Sequence, residues 1–292
     1  MNFIPEFIRR RIGHRPNLVK IVDNIGWLFF NKILRTGIGL FVGVWLARYL
    51  GPEQFGLLSY AIAFAGLFGV LAPLGLQGVV VRDLVRNPKG KEETLGTAAL
   101  MQLIGGLVAY GLTIAVIFLL RPDDSLVKTL VVIIGSMMLF KVSDIAVYWF
   151  ESQVKSKYAV WSQSGVFFVF ALIKVGLIMN DAPLILFAWA MMAEAGFLAV
   201  TLLTVLSRRG LKILHLKATS KRAKKLFKDS WPFFLSGVAI VIYMKIDQIM
   251  LGELVGKEEV GIYSAAVRIS EMWYFVPLAI VASVFPAILE AK

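Results

Sequence analysis

"LGPEQFGLLSYA", Leu50–Ala61, has a counterpart near the other end of the chain in "VGKEEVGIYSAA", Val255–Ala266. Without a gap, the two share Gly51/Gly256, Glu53/Glu258, Gly56/Gly261, Ser59/Ser264 and Ala61/Ala266, at a constant offset of 205 residues. The same offset brings "DNIGWLFF" (Asp23–Phe30) near "DSWPFF" (Asp229–Phe234), each of which opens an apolar run after a basic segment. Each copy of the first stretch joins the end of one apolar run to the start of the next, so each reads as a turn between two helices.

The apolar runs fix the fold class. Hydrophobic residues make up 58% of the 292 residues and charged residues 17%, with a mean hydropathy of +0.76. That balance lies outside the range of a soluble domain. Runs long enough to cross a hydrocarbon core of ~30 Å, roughly 20 residues each, recur at about 24–47, 55–76, 95–120, 126–150, 158–180, 183–206, 231–251 and 262–288. They are continuous rather than alternating, which predicts an all-α polytopic membrane protein with about eight spans. The first run is long, follows the basic "RRRIGHR" and contains Asn31, Lys32 and Arg35, so it reads as a retained helix and not a cleaved signal.

The formal charge of +12 orients the chain. Of 31 Lys and Arg, five lie in 1–23, four in 77–93, two in 151–157, nine in 207–230 and one at Lys292, all on one face, whereas the opposite turns hold only Arg48, Arg121, Lys128 and Lys257. The positive-inside rule then places both termini in the cytoplasm of a cell-membrane protein. The basic run Ser207–Lys228 is expected on anionic headgroups, and no nucleic-acid partner is expected. The chain has no cysteine, and His14 and His215 lie in basic segments, which leaves little material for a metal centre or a catalytic triad. No cofactor is expected.

Six spans separate the two copies, so both run in the same direction through the membrane, as in a parallel repeat. The expected domains are a six-helix lobe over 1–206, a basic inter-lobe linker over 207–230, and a partial second lobe of two helices over 231–292. A six-helix repeat unit also predicts that the chain is a piece of a longer protein.

Ten ionisable residues fall within the spans: Lys32, Arg35, Lys141, Lys174, Lys245, Arg268, Asp144, Glu194, Asp247 and Glu271. At ~3 kcal/mol each near mid-depth, exposing all ten to lipid would cost about 30 kcal/mol, so most need a partner, an interface or water. Lys174 and Lys245 lie about six residues, roughly 9 Å, from a span end and can snorkel. Arg35 lies about eleven residues, roughly 16 Å, deep. Asn24, Asn31, Arg35, Gly39 and Gly43 share one face, with Lys32 beside it. Gly39-x-x-x-Gly43 alone would read as a helix-packing seam, but cations at that depth point to a water-filled cavity. Arg268 and Glu271 are spaced to pair, as are Lys141 and Asp144. Tyr243 and Asp247 share a face, and Glu194 has no local partner. The offset places Arg35 and Arg268 on helices that would meet around the repeat axis, where guanidinium groups suit phosphate.

The chain resembles the bacterial and archaeal polysaccharide or O-antigen flippases, within the superfamily that holds MATE exporters and lipid II flippases. The resemblance rests on "IGWLFFNKILRTGIGLFVGVWLARYLGPEQFGLLSYA" (Ile25–Ala61), "GLQGVVVRDLVRN" (Gly75–Asn87), "WFESQVKSKYAVWSQ" (Trp149–Gln163) and "KIDQIMLGELVGKEEVGIYSAAVRISE" (Lys245–Glu271). It implies two six-helix bundles in a V that move an undecaprenyl-pyrophosphate-linked oligosaccharide to the outer leaflet, with no covalent chemistry and alongside other glycan-assembly membrane proteins. By matching position it places Asp247 and Arg268 at the central cavity. On this reading Asn31, Lys32, Arg35 and Arg268 meet the anionic group, and Asp247 and Glu271 are candidates to bind the driving H+ or Na+. A MATE-type exporter of cations is disfavoured by six intramembrane cations against four anions. An intramembrane enzyme of polyprenyl-glycan metabolism is disfavoured by short outer turns and by the lack of an acidic metal motif.

Overall fold

An apolar chain in lipid must satisfy its own backbone N–H and C=O groups, and long uninterrupted runs do so as helices. The computed structural model describes residues 16–209, 211 and 215–274, with side chains from residue 33 onward except Met272 and Tyr274, and these residues are helical with no strand among them. Among the described residues, six helices are long and apolar enough to cross a membrane. The first of them accommodates two of the expected spans, and the eighth expected span, 262–288, is described only as far as residue 274.

Helix α1 (Pro16–Gly69) has 54 residues. Straight, it would be about 80 Å long, well beyond a ~30 Å hydrocarbon core. It breaks at Gly51, whose φ of 69° and ψ of 174° suit a residue without Cβ, and Pro52 then supplies a preset φ for the next helical arm. Leu46 and Leu58, like Val42 and Ile62, border one cavity, so the arms on either side of Gly51 lie next to each other as a hairpin.

A short helix α2 (Leu76–Arg86) follows, then α3 (Lys91–Leu120). The fourth span is built from α4 (Ser125–Gly135), a 3-10 stretch (Ser136–Ser143) and α5 (Asp144–Ser152) rather than one α-helix. Ser136 and Ser143 donate their hydroxyls back to the carbonyls of Ile133 and Phe140 at 2.6 and 2.8 Å, a pattern that bends helices. Helices α6 (Lys157–Met179) and α7 (Leu184–Arg208) form the next hairpin. Helix α8 (Ser220–Leu254) and helix α9 (Lys257–Ser270) form the last, ending in a 3-10 turn (Glu271–Tyr274).

Helix α8 starts at Ser220 and takes in nearly half of the segment expected as a linker, 207–230. It does not hang free. Thr219 caps α8 by accepting from the Arg222 N–H at 3.3 Å and donates its hydroxyl to Glu93 at 2.6 Å. Arg222 reaches Asp83 at 3.2 Å and Thr94 at 2.7 Å, and Arg82 bridges Asp83 and Asp229 at 3.1 and 2.5 Å. Asp229 and Asp83 hold the Arg82 guanidinium firmly charged, above its ordinary range. These charge-assisted contacts pin the start of α8 to α2 and α3.

Two apolar clusters divide the bundle by height. One, including Leu46, Leu50, Phe55, Leu58, Val127, Ala188 and Val260, fills the end that carries Gly51. The other, including Leu76, Leu84, Leu95, Phe150, Leu206 and Leu226, fills the basic end. The cavities border these clusters: Leu46, Leu58 and Phe187 of the first also line one cavity, and Tyr148 and Ala159 of the second line another.

Candidate functional site

The two copies of the turn meet directly. A Cβ on Gly56 would overlap the carbonyl oxygen of Lys257 and come within 2.9 Å of the Gly261 N; a Cβ on Gly261 would overlap the carbonyl oxygen of Pro52 and come within 3.1 Å of the Gly56 N. Pro52 and Lys257 correspond under the same offset as Gly56 and Gly261. The contact is therefore reciprocal, as in an interface across a two-fold axis, and backbones this close exchange Cα–H···O=C contacts.

Side chains reinforce the crossing. Lys257 pairs with Asp124 at 2.7 Å, and Arg121 pairs with Glu253 at 3.2 Å while donating to the Gly252 carbonyl at 2.6 Å. The Tyr60 hydroxyl donates to Glu253. Arg121 and Asp124 sit in the α3–α4 turn, and Glu253 and Lys257 flank the α8–α9 turn, so acid and base are exchanged between the two. Burial alone would weaken the charge on Arg121, but Glu253 outweighs it and holds the guanidinium above its ordinary pKa. Burial would likewise raise Asp124, but Lys257 and the Val127 N–H outweigh it and hold the carboxyl below its ordinary range. The free space between Tyr60, Arg121, Lys257 and Val260 is only about 10 Å³, about one water at most. In the turn "RPDDS" (Arg121–Ser125), Asp124 caps α4 by accepting from the Val127 N–H at 3.1 Å, and the turn is half of this closure.

Beneath the closure lies a cavity of about 400 Å³ bordered by both arms of α1, by α6 and α7, and by Arg268 and Glu271. Gly39 and Gly43 face it. A Cβ on Gly39 would touch Phe167 at 3.7 Å, whereas one on Gly43 would collide with the Arg268 guanidinium and come within 3.2 Å of its Cδ. The glycine pair is thus a seat for side chains around a cavity, not a plain helix seam. The Arg268 guanidinium lies 5.4 Å from the Phe55 ring centroid, a cation–π distance. Arg268 and Glu271 share the cavity wall, but among the described residues neither meets ion-pair distance with the other. This corrects the expected i,i+3 pair: α9 ends at Ser270, and Glu271 already belongs to the 3-10 turn.

Arg35 stands at the edge of this cavity. Its guanidinium lies 5.2 Å from the Phe167 ring centroid and donates to Gln163 at 3.3 Å. Arg268 thus lines the cavity, whereas Arg35 does not and lies behind Phe167, which does. Asn31 and Lys32 lie in α1, but their side chains are outside the described residues. Asp247 accepts from Tyr263 on the neighbouring helix, not from Tyr243, which is 80% exposed. Lys141 and Asp144 pair at 3.6 Å as their spacing predicts.

Lys174 and Glu194, read separately from sequence, form an ion pair at 2.6 Å, and Lys174 borders the cavity. Counted by Cα, they differ in depth by about five residues, roughly 7.5 Å; the flexible lysine stem covers that difference. Summing depth and stem length over antiparallel neighbours would have found this pair.

Residues 21–292 match the family model described as "Polysaccharide biosynthesis protein". Over 288 residues the chain is 24% identical to a Shigella flexneri protein named "Putative O-antigen transporter", covering 94% of this chain and 68% of that protein. No solved structure matches the chain.

Proposed function

The chain belongs to the family of polysaccharide biosynthesis proteins, and from that premise we propose that it is a transporter, not an enzyme, carrying an oligosaccharide on an undecaprenyl pyrophosphate carrier across the cell membrane by alternating access. The name of its Shigella relative supports the transport reading. On the proposed orientation both termini are cytoplasmic, the Gly51 end faces outward, and the conformation described is closed on that side. The reciprocal Gly56–Gly261 contact supports a parallel repeat with lobes 1–206 and 231–292 joined through 207–230. Other glycan-assembly membrane proteins are the expected neighbours.

One observation carries the assignment of the site: Arg268, in a run expected to lie within the membrane, is on the wall of a cavity bordered by both arms of α1 and by α6 and α7, seated against a residue that has no side chain. A guanidinium is a costly group at that depth, and its forked donors fit the charge and shape of a pyrophosphate. Arg35 at the cavity edge contributes a second fork, with Lys32 and Asn31 on the same helix. Asp247 and Glu271 are the acidic groups available to bind the H+ or Na+ that drives the cycle. Transport of this kind needs no bond made or broken in the substrate.

The test is surface glycan in cells that depend on this transporter. Arg268→Ala is expected to lower it tenfold or more and Arg35→Ala severalfold, in line with loss of a charge-assisted contact in a low-dielectric site. Arg268→Lys, which keeps the charge and loses the fork, should recover only part. Full export from the double alanine variant, present at normal levels in the membrane, would overturn the assignment.

A further inference from the structure

A second cavity, of about 350 Å³, opens among α2, α5 and α6 toward the basic end, and its chemistry differs from that of the first. Gln77, Asp144, Tyr148, Glu151, Ser156 and Gln163 supply its polar wall. Gln77 donates to both oxygens of Glu151 at 3.1 Å. Asp144 has Lys141 only at 3.6 Å, with the lysine side chain 52% exposed. The Tyr148 hydroxyl accepts from Gln102 at 2.9 Å, and the other end of that buried amide, Gln102 Oε1, has no partner. Val147, Ala159 and Val160 add apolar surface.

Two carboxylates, two amides and two hydroxyls around one hollow offer acceptors and donors side by side. A phosphate is poorly served there, because both ionisable groups of that wall are acids that repel it. A ring bearing several hydroxyls is well served, since each hydroxyl both donates and accepts and can bridge a carboxylate and an amide. The two cavities are linked by one residue: Arg35 stacks on Phe167, which borders the first, and donates to Gln163, which borders the second.

We infer that the second cavity is the subsite for the carrier-proximal sugar, with Glu151 and Asp144 as the acceptors for its hydroxyls and Arg35 marking the junction between phosphate and sugar. The inference rests on the reading of the first cavity as the pyrophosphate site. In such a substrate the first sugar is bonded directly to the pyrophosphate, so its site must adjoin that cavity, and this hollow does. The acidic wall also gives selectivity: a neutral or amino sugar is preferred there over a uronic acid.

Binding to the full-length protein in detergent separates the two readings, with two probes. One is a short oligosaccharide released from the cell's own surface polysaccharide, and the other is inorganic pyrophosphate. Glu151→Gln is expected to weaken oligosaccharide binding severalfold, and Asp144→Asn with Glu151→Gln tenfold or more, with pyrophosphate binding held within twofold. Unchanged oligosaccharide binding by the double variant, no binding of it by the wild-type protein, or equal weakening of both probes would each overturn the subsite. Arg268→Ala reports on the other reading. If it leaves pyrophosphate binding untouched, the first cavity is misassigned, whatever the oligosaccharide result.

Discussion

The Gly51 end of the bundle and the cavity beneath it share α1 and α9, yet one is shut and the other open. At the closure, glycines remove side chains so that backbone meets backbone: Gly56 and Gly261 each face a carbonyl at a distance no Cβ allows. In the cavity, glycines remove side chains so that other side chains can enter: Gly39 faces Phe167 and Gly43 faces Arg268. The closure is held by pairs of opposite charge exchanged between turns, whereas Arg268 in the cavity has only a ring beside it and an acid beyond ion-pair distance. A satisfied contact holds a conformation, and on the proposed reading the charge left without an ion-pair partner is the one that meets the ligand.

The largest effect should come from adding one methyl group at the crossing. Gly56→Ala places a Cβ onto the Lys257 carbonyl, and backbone cannot swing aside as a side chain can. Overpacking of this kind costs about 1–3 kcal/mol, or roughly 5- to 150-fold in the ratio of closed to open forms. Gly39→Ala, whose nearest neighbour would be Phe167 at 3.7 Å, should change little. The chain has no cysteine, so Ser264→Cys, buried at 7% exposure near the crossing, is a clean reporter. We expect it to resist a membrane-impermeant thiol reagent in the wild-type background and to react quickly with Gly56→Ala. Equal labelling in both would mean that the crossing does not set the closure.

Much of this contrast was legible in the sequence. The constant offset between Gly51–Ala61 and Gly256–Ala266 located the two turns, and the structure adds that Gly56 and Gly261 touch each other's hairpin. Depth along α1 singled out Arg35, whereas the repeat offset and the family resemblance singled out Arg268. What could not be read were pairs between distant helices. Arg121 with Glu253, Asp124 with Lys257, and Asp247 with Tyr263 are not written in any local period, because helical spacing reports only which residues share a face of one helix. Within one helix the spacing rule succeeded for Lys141 and Asp144 and failed for Arg268 and Glu271, where the α-helix stops between the partners. Likewise the break from α to 3-10 at Ser136–Ser143 lies in an apolar run whose hydropathy gives no sign of it.

An intermediate effect is expected from the Arg121–Glu253 pair, whose side chains are 24% and 32% exposed. Partly exposed pairs of this kind are worth about 0.5–1 kcal/mol, so Arg121→Ala should speed labelling of the Ser264→Cys reporter about two- to fivefold. Reversing one charge should do more, because Arg121→Glu then faces Glu253. The exchange of both, Arg121→Glu with Glu253→Arg, should restore protection at least in part, which isolates the pair from general damage. If the double exchange is as open as the single reversal, the pair does not hold the turns together.

The smallest effect is a dependence on pH, and its direction follows from Asp124. Lys257 and the Val127 N–H hold its carboxyl below the ordinary carboxylate range in the closed form. When the turns part, Lys257 is withdrawn and the pKa returns toward its ordinary value. A group depressed in the closed form favours closure above its ordinary pKa and loses that contribution as pH falls through the depressed value. Labelling of the Ser264→Cys reporter, corrected for thiolate content, should therefore be flat from pH 8 to 5 and rise only below the usual carboxylate range. Asp124→Asn should remove the rise and leave labelling slightly faster throughout, since the amide keeps the cap on α4 but not the charge opposite Lys257. A rise centred near neutrality that survives Asp124→Asn would place the sensitive group elsewhere and leave Asp124 as a helix cap alone.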